Sequence, residues 1–148
     1  MTIAEQLTED MKSSMKAGDS QRTGVLRLLR GALKNEEIKI GHPLGEVEVL
    51  KVLQREAKQR RDSIEAYSSA GRQDLLEVEE QELKVIASYL PEALSDEELA
   101  KVVDAVVAEL GATGPQRMGQ VIGEVMKRVG VQADGGAVAR LVRARLGV

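Results

Sequence analysis

The sequence predicts an all-α protein: a four-helix region followed by a small three-helix tail domain. Apolar residues recur every three or four positions in each long segment, and no segment alternates as a strand would. Capping residues stand where these segments begin. Hydrophobic residues make up 43% of the 148 residues but aromatic residues only 1%, so the predicted cores are aliphatic.

The first two helices are delimited by local signals. Thr2 and Glu5 have the spacing of a capping box at the start of the first helix. Gly18 ends that helix, and Asp19 or Ser20 caps the second, which runs to the breaker that begins at Gly41.

The third and fourth helices are predicted over residues 46–69 and 73–89, separated by Gly71. The fourth ends before Pro91, which lacks the amide hydrogen that a continuing helix needs. The apolar seam of the third helix is predicted to be Val47, Leu50, Leu53, Ala57, Ile64 and Tyr67.

Pro91 marks the predicted domain boundary, with a helical domain over 1–91 and a tail domain over 92–148. Ser95 and Glu98 form a second capping-box pattern just after it. Two further helical stripes follow, and Asp134 is expected to cap the last helix.

Charge is unevenly distributed along the tail. Residues 92–110 carry six acids against one base, and residues 111–148 carry six bases against two acids. A polarised domain can steer an anionic partner towards its basic part. A salt-bridged helical surface explains the same pattern equally well.

Basic residues are the candidate contacts to an RNA backbone. Arg140 and Arg143 are one helical turn apart, opposite the apolar Val138 and Val142. A further stripe on the second helix comprises Arg27, Arg30 and Lys34. The candidates in the tail and on the third helix are Arg117, Lys127, Arg128, Arg140, Arg143, Lys51, Arg55 and Lys58. Intrahelical ion pairs are the alternative role for these bases.

Glycines in the tail allow two interpretations. Gly119 and Gly123 are four residues apart on a predicted helix, where they would let a neighbouring helix approach closely, so a larger side chain would overpack the contact. Alternatively, their bare backbone faces a ligand. Asp134 and Gly135 begin the last helix, where free amide groups could also receive a phosphate.

The sequence carries no recognisable catalytic motif, and we expect no metal and no cofactor. Cysteine is absent, and His42 is the only histidine. The segment after Met1 lacks the pattern of a signal peptide, and no apolar run is long enough to span a membrane, so we expect a cytoplasmic protein. Base stacking on aromatic side chains is excluded as the main binding mode, since the chain has two tyrosines.

Several segments in family order together resemble the YqeY family. The last of them resembles the tail domain that YqeY proteins share with the GatB subunit of the transfer-RNA amidotransferase. The segments are Glu9–Lys12, Leu26–Leu29, Leu33–Glu36, Glu56–Ile64, Gly71–Leu75, Tyr89–Pro91, Met118–Met126 and Ala133–Gly136.

The resemblance implies a helical domain joined to a tail that, in GatB, helps to hold transfer RNA during amide transfer from glutamine. The catalytic cradle of GatB has no counterpart in these 148 residues. We therefore expect an accessory module that binds structured RNA, with an amidotransferase or another translation-related protein as a possible partner. Catalysis by the chain alone stays open, and a helical protein–protein adapter is the alternative function.

Overall fold

The computed structural model describes residues 1–147, and every regular element within them is helical. The all-α prediction is therefore confirmed. The chain divides into two compact units, Met1–Leu90 and Pro91–Val148, each with a core of its own.

The first unit contains four helices that pack mainly as two pairs, α1 on α2 and α3 on α4. Contacts of α2 with both α3 and α4 join the pairs. The helices are α1 (Ile3–Lys16), α2 (Ser20–Ile40), α3 (Glu46–Ser69) and α4 (Gln73–Ala87).

Local chemistry sets the ends of these helices. The capping box of Thr2 and Glu5 is present at the start of α1, and the Asp19 carboxylate accepts a hydrogen bond from the Arg22 amide at the start of α2. Gly41 ends α2 with a φ of 81°, a conformation that other residues adopt only with strain. The α4 helix ends two residues earlier than predicted, in a turn that precedes Pro91.

The core of the first unit is aliphatic, and the predicted seam of α3 is confirmed at Leu53 and Ala57 but wrong at Val47. Val49 and Val52 are buried beside Leu53 and Ala57, whereas Val47 is 63% exposed. Val47 and Val49 each lie on a stripe with helical spacing, and packing against the other helices determines which of the two is buried. The buried residues that form this core are Leu7, Val25, Leu26, Leu29, Leu33, Val49, Val52, Leu53, Ala57 and Ile86.

Buried polar contacts fix how the helices of the first unit pack. The hydroxyls of Ser14 and Thr23 share a hydrogen bond of 2.7 Å between α1 and α2. Arg60 on α3 donates to Glu56 at 2.6 Å and to Glu82 on α4 at 3.1 Å. Burial opposes the charge of Arg60, but these bonds outweigh it and raise the pKa of the guanidinium.

The second unit contains three helices, α5 (Asp96–Leu110), α6 (Met118–Val129) and α7 (Gly135–Leu146), with single 3₁₀ turns at Pro115–Arg117 and Gly130–Gln132. The capping box of Ser95 and Glu98 is confirmed at the start of α5. Each helix buries one aliphatic stripe against the other two. The buried set is Leu99, Val103, Val106, Ala112, Val121, Val125, Val129, Ala133, Val138, Val142 and Leu146.

Tyr89 provides a test of packing in the first unit. Its hydroxyl donates to the Asp10 carboxylate, and burial, followed by that hydrogen bond and the Asp10 charge, raises the pKa of the phenol. A raised pKa in the folded state means that the native protein keeps this proton after the unfolded chain has lost it. The contribution of Tyr89 to stability is thus complete below its ordinary pKa of 10.0 and declines as the pH rises above that value.

We expect the Tyr67→Phe variant, in which Tyr89 is the only phenol, to show no tyrosinate absorbance at pH 10.0 while it is folded. An absorbance titration with parallel circular dichroism checks this. Half-ionisation at pH 10.0 in the folded variant would contradict the Tyr89–Asp10 contact.

Candidate nucleic-acid interface

Four basic side chains of the second unit are exposed and have no carboxylate partner within residues 1–147: Lys101, Lys127, Arg140 and Arg143. Lys101 lies on α5, whose other charged residues are acids. Lys127 lies in the last turn of α6. Arg140 and Arg143 lie on α7 opposite the buried Val138 and Val142, so helical geometry makes the two arginines neighbours. A guanidinium nitrogen of Arg140 lies 3.8 Å from the position that a Cβ of Gly136 would occupy.

Two other predicted contacts, Arg117 and Arg128, are engaged within the unit. Arg117 donates to the carbonyl of Leu110 at 3.1 Å, which satisfies a free acceptor at the end of α5. Arg128 on α6 donates to Glu124 at 3.3 Å and to Glu109 on α5, and this hydrogen bond lowers the pKa of the Glu109 carboxyl. These two arginines therefore hold the helices together rather than present free charge.

Acids of α5 pair with bases of α6 and α7, so part of the charge asymmetry along the sequence is compensated in the structure. Arg145 on α7 donates to Asp104 on α5 at 2.5 Å, just as Arg128 on α6 donates to Glu109. Each of these exposed pairs contributes little to stability alone. They also compensate part of the basic charge of the unit.

The predicted contacts on α3 differ in the same way. Arg55 pairs with Glu36 on α2 at 3.2 Å, and Lys58 pairs with Asp62 at 3.4 Å. Lys51 has no carboxylate partner in the described residues and is exposed.

A groove of about 720 Å³ separates α2 from α3 in the first unit. Arg55 lines it together with Arg27 and Lys39 of α2, two basic residues outside the main predicted set. Gly24 and Gly31 also line the groove. These two glycines were not among the predicted site residues, although glycine inside a long amphipathic helix is a signal that could have marked this face. The groove belongs entirely to the first unit.

The prediction that Gly119 and Gly123 lie at a close helix contact is wrong. Both are exposed, and a Cβ built on either would meet nothing within 4 Å. Arg128 shows why: it faces α5, and Gly119 lies nine residues earlier, half a rotation away around α6. The glycines therefore leave the backbone of α6 open to solvent.

Asp134 occupies the N-cap position of α7 but does not cap it with its side chain. Its backbone is extended, and its carboxylate instead lies over Gly136, 3.0 Å from the position of a Cβ there. The predicted side-chain cap is therefore wrong. Gly135, the first residue of α7, is exposed with open space around its Cα.

Residues 1–147 contain no group of three or more histidine, cysteine or acidic side chains arranged to hold a metal ion. In the same residues, no helix combines the length and apolarity that crossing a membrane requires. The acids at Glu77, Glu79, Glu80 and Glu82 lie on α4, where Glu82 is held by Arg60.

Replacing the α6 glycines should stabilise the protein, contrary to what a tight helix contact would produce. We expect Gly119→Ala and Gly123→Ala each to raise the free energy of unfolding by about 0.5–1 kcal/mol, because alanine loses less backbone entropy in a helix. Denaturant unfolding of the full chain checks this. The control is Gly111→Ala, which we expect to destabilise because Gly111 has a φ of 58°. Destabilisation by the α6 changes would show that these glycines are packed.

Comparison with known proteins identifies relatives along most of the chain. "Altered inheritance of mitochondria protein 41, mitochondrial" of Eremothecium gossypii is 36% identical over 111 residues, which are 72% of this chain and 60% of that protein. The protein of the same name from Clavispora lusitaniae is 35% identical over 109 residues, 72% of this chain and 63% of the relative. The chain thus spans about 60% of the length of these relatives.

The names of these relatives contradict the prediction of a cytoplasmic protein, because they are mitochondrial proteins. The prediction rested on the lack of a targeting pattern in the sequence, and such a lack says nothing about the compartment in which a helical unit works.

The whole described fold falls within one family match. The family model described as Yqey-like protein covers residues 4–146, from the first turn of α1 to the last residue of α7. The same residues include both cores and all the basic side chains considered above. This chain therefore belongs to the YqeY family.

Proposed function

We propose that this protein is a non-catalytic accessory module that binds structured RNA, with transfer RNA as the first RNA to test. The contacts proposed for the tail are Lys127, Arg140 and Arg143. The observation that carries the proposal is that these three cations are exposed and have no carboxylate partner within residues 1–147, whereas Arg128 and Arg145 are bound to acids of α5.

Unpaired cations favour an anionic partner because they gain a counter-charge without breaking an existing ion pair. The two arginines on α7 are one turn apart, a spacing that suits contact with one phosphate or with neighbouring phosphates. The open backbone at Gly119 and Gly123 permits close approach along α6.

The resemblance of the tail to that of GatB supports transfer RNA as the ligand and connects the protein with glutamine-dependent amidotransferase chemistry. In this proposal, the chemistry itself belongs to a partner enzyme. The chain supplies binding and orientation of the RNA, and basic side chains are sufficient for that role.

Three phosphate contacts give modest affinity with a clear salt dependence. We expect the logarithm of the association constant for bulk transfer RNA to fall with the logarithm of salt concentration with a slope of about −2 to −3. The triple change Lys127→Gln, Arg140→Gln and Arg143→Gln should weaken binding and bring the slope towards zero. Filter binding across a salt series measures both quantities.

The matched control carries Lys16→Gln, Arg61→Gln and Lys84→Gln, three exposed bases of the first unit that also have no carboxylate partner in the described part of the chain. It changes the net charge by the same amount, so a general electrostatic effect would weaken both proteins equally. Equal affinity of the tail variant and the unchanged protein, with unfolding midpoints also equal, would refute the tail as the RNA contact.

A protein–protein adapter is the second candidate, favoured by apolar side chains on the surface of α2. Leu28 is 57% exposed and Ile38 is 70% exposed, and neither contributes to the core of the first unit. A partner that is retained after nuclease treatment and lost in Leu28→Glu would support this function. Retention that depends on intact RNA would favour the first candidate.

A further inference from the structure

Three cations of α2 flank one glycine. Arg27, Arg30 and Lys34 stand four residues before, one before and three after Gly31, so helical geometry places all three along one side of its bare backbone. All four residues line one depression of about 370 Å³, together with Leu33 and Glu37. This depression is in the first unit, away from the tail bases in sequence and in unit.

Packing within the first unit does not explain Gly31. A Cβ at this position would meet nothing within 4 Å, and the residue is exposed. Glycine in the interior of a helix lowers its stability relative to alanine. Glycine at this position therefore lowers the stability of α2 without a packing contact that requires it. It also leaves exposed backbone that a ligand atom can approach.

The two arginines are positioned but not neutralised. Guanidinium nitrogens of Arg30 and Arg27 lie 3.4 Å from the Met11 sulfur and 3.8 Å from the Met15 sulfur, both on α1. A thioether is a weak acceptor without charge. Contact with α1 thus positions both guanidinium groups, and neither has a carboxylate partner within residues 1–147.

The remaining charges of the depression are a weak pair. Lys34 and Glu37 approach to 3.8 Å, and the Lys34 side chain is 71% exposed. An exposed pair of this kind contributes little, so Lys34 can turn to another anion at small cost. Arg60 of the same unit differs from Arg27 and Arg30, because two acids at 3.1 Å or less compensate its charge.

We propose that Arg27, Arg30 and Lys34 form a binding site for a phosphate group, with the bare backbone of Gly31 as its floor. Arginine forks match the paired oxygens of a phosphate, and lysine adds a third donor as a point charge. Three cations against the single acid Glu37 leave a surplus that suits a phosphate better than a lone carboxylate. The site goes beyond the RNA contact proposed for the tail, because it uses none of the tail bases.

A titration of the full chain with inorganic pyrophosphate, followed by amide chemical shifts, tests the site. We expect shifts centred on Gly31 and its neighbours in α2. The double change Arg27→Gln and Arg30→Gln should weaken binding by roughly a hundredfold or more, the loss expected from two charge-assisted hydrogen bonds. The Lys16→Gln, Arg61→Gln and Lys84→Gln protein should bind pyrophosphate as the unchanged protein does.

A second variant tests whether binding needs the open backbone at Gly31 as well as the three positive charges. Gly31→Leu keeps all three cations and a helix-compatible backbone, but it fills the floor. We expect it to retain its helical circular dichroism and to lose the pyrophosphate shifts. Unchanged binding in Gly31→Leu, or equal weakening in the control triple, would overturn the proposal.

A parallel titration with transfer RNA distinguishes a backbone phosphate from a small phosphate compound. RNA shifts at Gly31 that survive the Lys127, Arg140 and Arg143 changes assign the site to RNA independently of the tail. Shifts with pyrophosphate alone assign it to a small phosphate compound. If neither ligand shifts Gly31, the site is refuted, whatever the tail variants show.

Discussion

Two small aliphatic cores, each closed by its own helices, are the constraint on which the rest of this protein depends. With almost no aromatic side chains, each core is filled by leucine, valine, isoleucine and alanine. The shapes of aliphatic side chains specify helix packing only loosely. Polar contacts at the edges of such cores therefore help to fix the arrangement. The Arg60 pairs and the Ser14–Thr23 bond do this in the first unit. In the second unit, the pairs of α5 with Arg128 and Arg145 are exposed, and each contributes little alone.

The division of the basic residues follows from that constraint. A cation that reaches an acid on a neighbouring helix joins two elements, and its charge is no longer available to a partner. Arg128 and Arg145 are of this kind, whereas Arg140 and Arg143 point away from the core on the same small unit. The bases without such a contact in residues 1–147 remain available to an anionic partner.

Features encoded by neighbouring residues could be predicted from the sequence. The capping boxes at Thr2 and Ser95 and the glycine that ends α2 depend on residues within one turn, and the structure contains all three. The choice between Val47 and Val49 on α3 could not be predicted, because both fit a helical stripe and only packing against the other helices decides which is buried.

The candidate interface was predictable only as a set of residues. The sequence identifies Arg128 and Arg140 as basic helix residues alike, but the partner of Arg128 lies 19 positions away on α5. Gly119 and Gly123 failed for a related reason: spacing places them on one face of α6 but does not say which face meets a neighbour. Tertiary contacts of this kind depend on how three helices are assembled.

The segment that enters α5 is held by hydrogen bonds to Gln132, in the turn between α6 and α7. The Leu94 amide donates to the carbonyl of Gln132 at 2.9 Å, and the Gln132 side chain donates to the carbonyl of Glu92 at 3.4 Å. A protease must extract such a segment from these bonds before it can cleave it. Residues 92–94 therefore gain resistance to cleavage from the folding of α6 and α7, although they belong to no helix themselves.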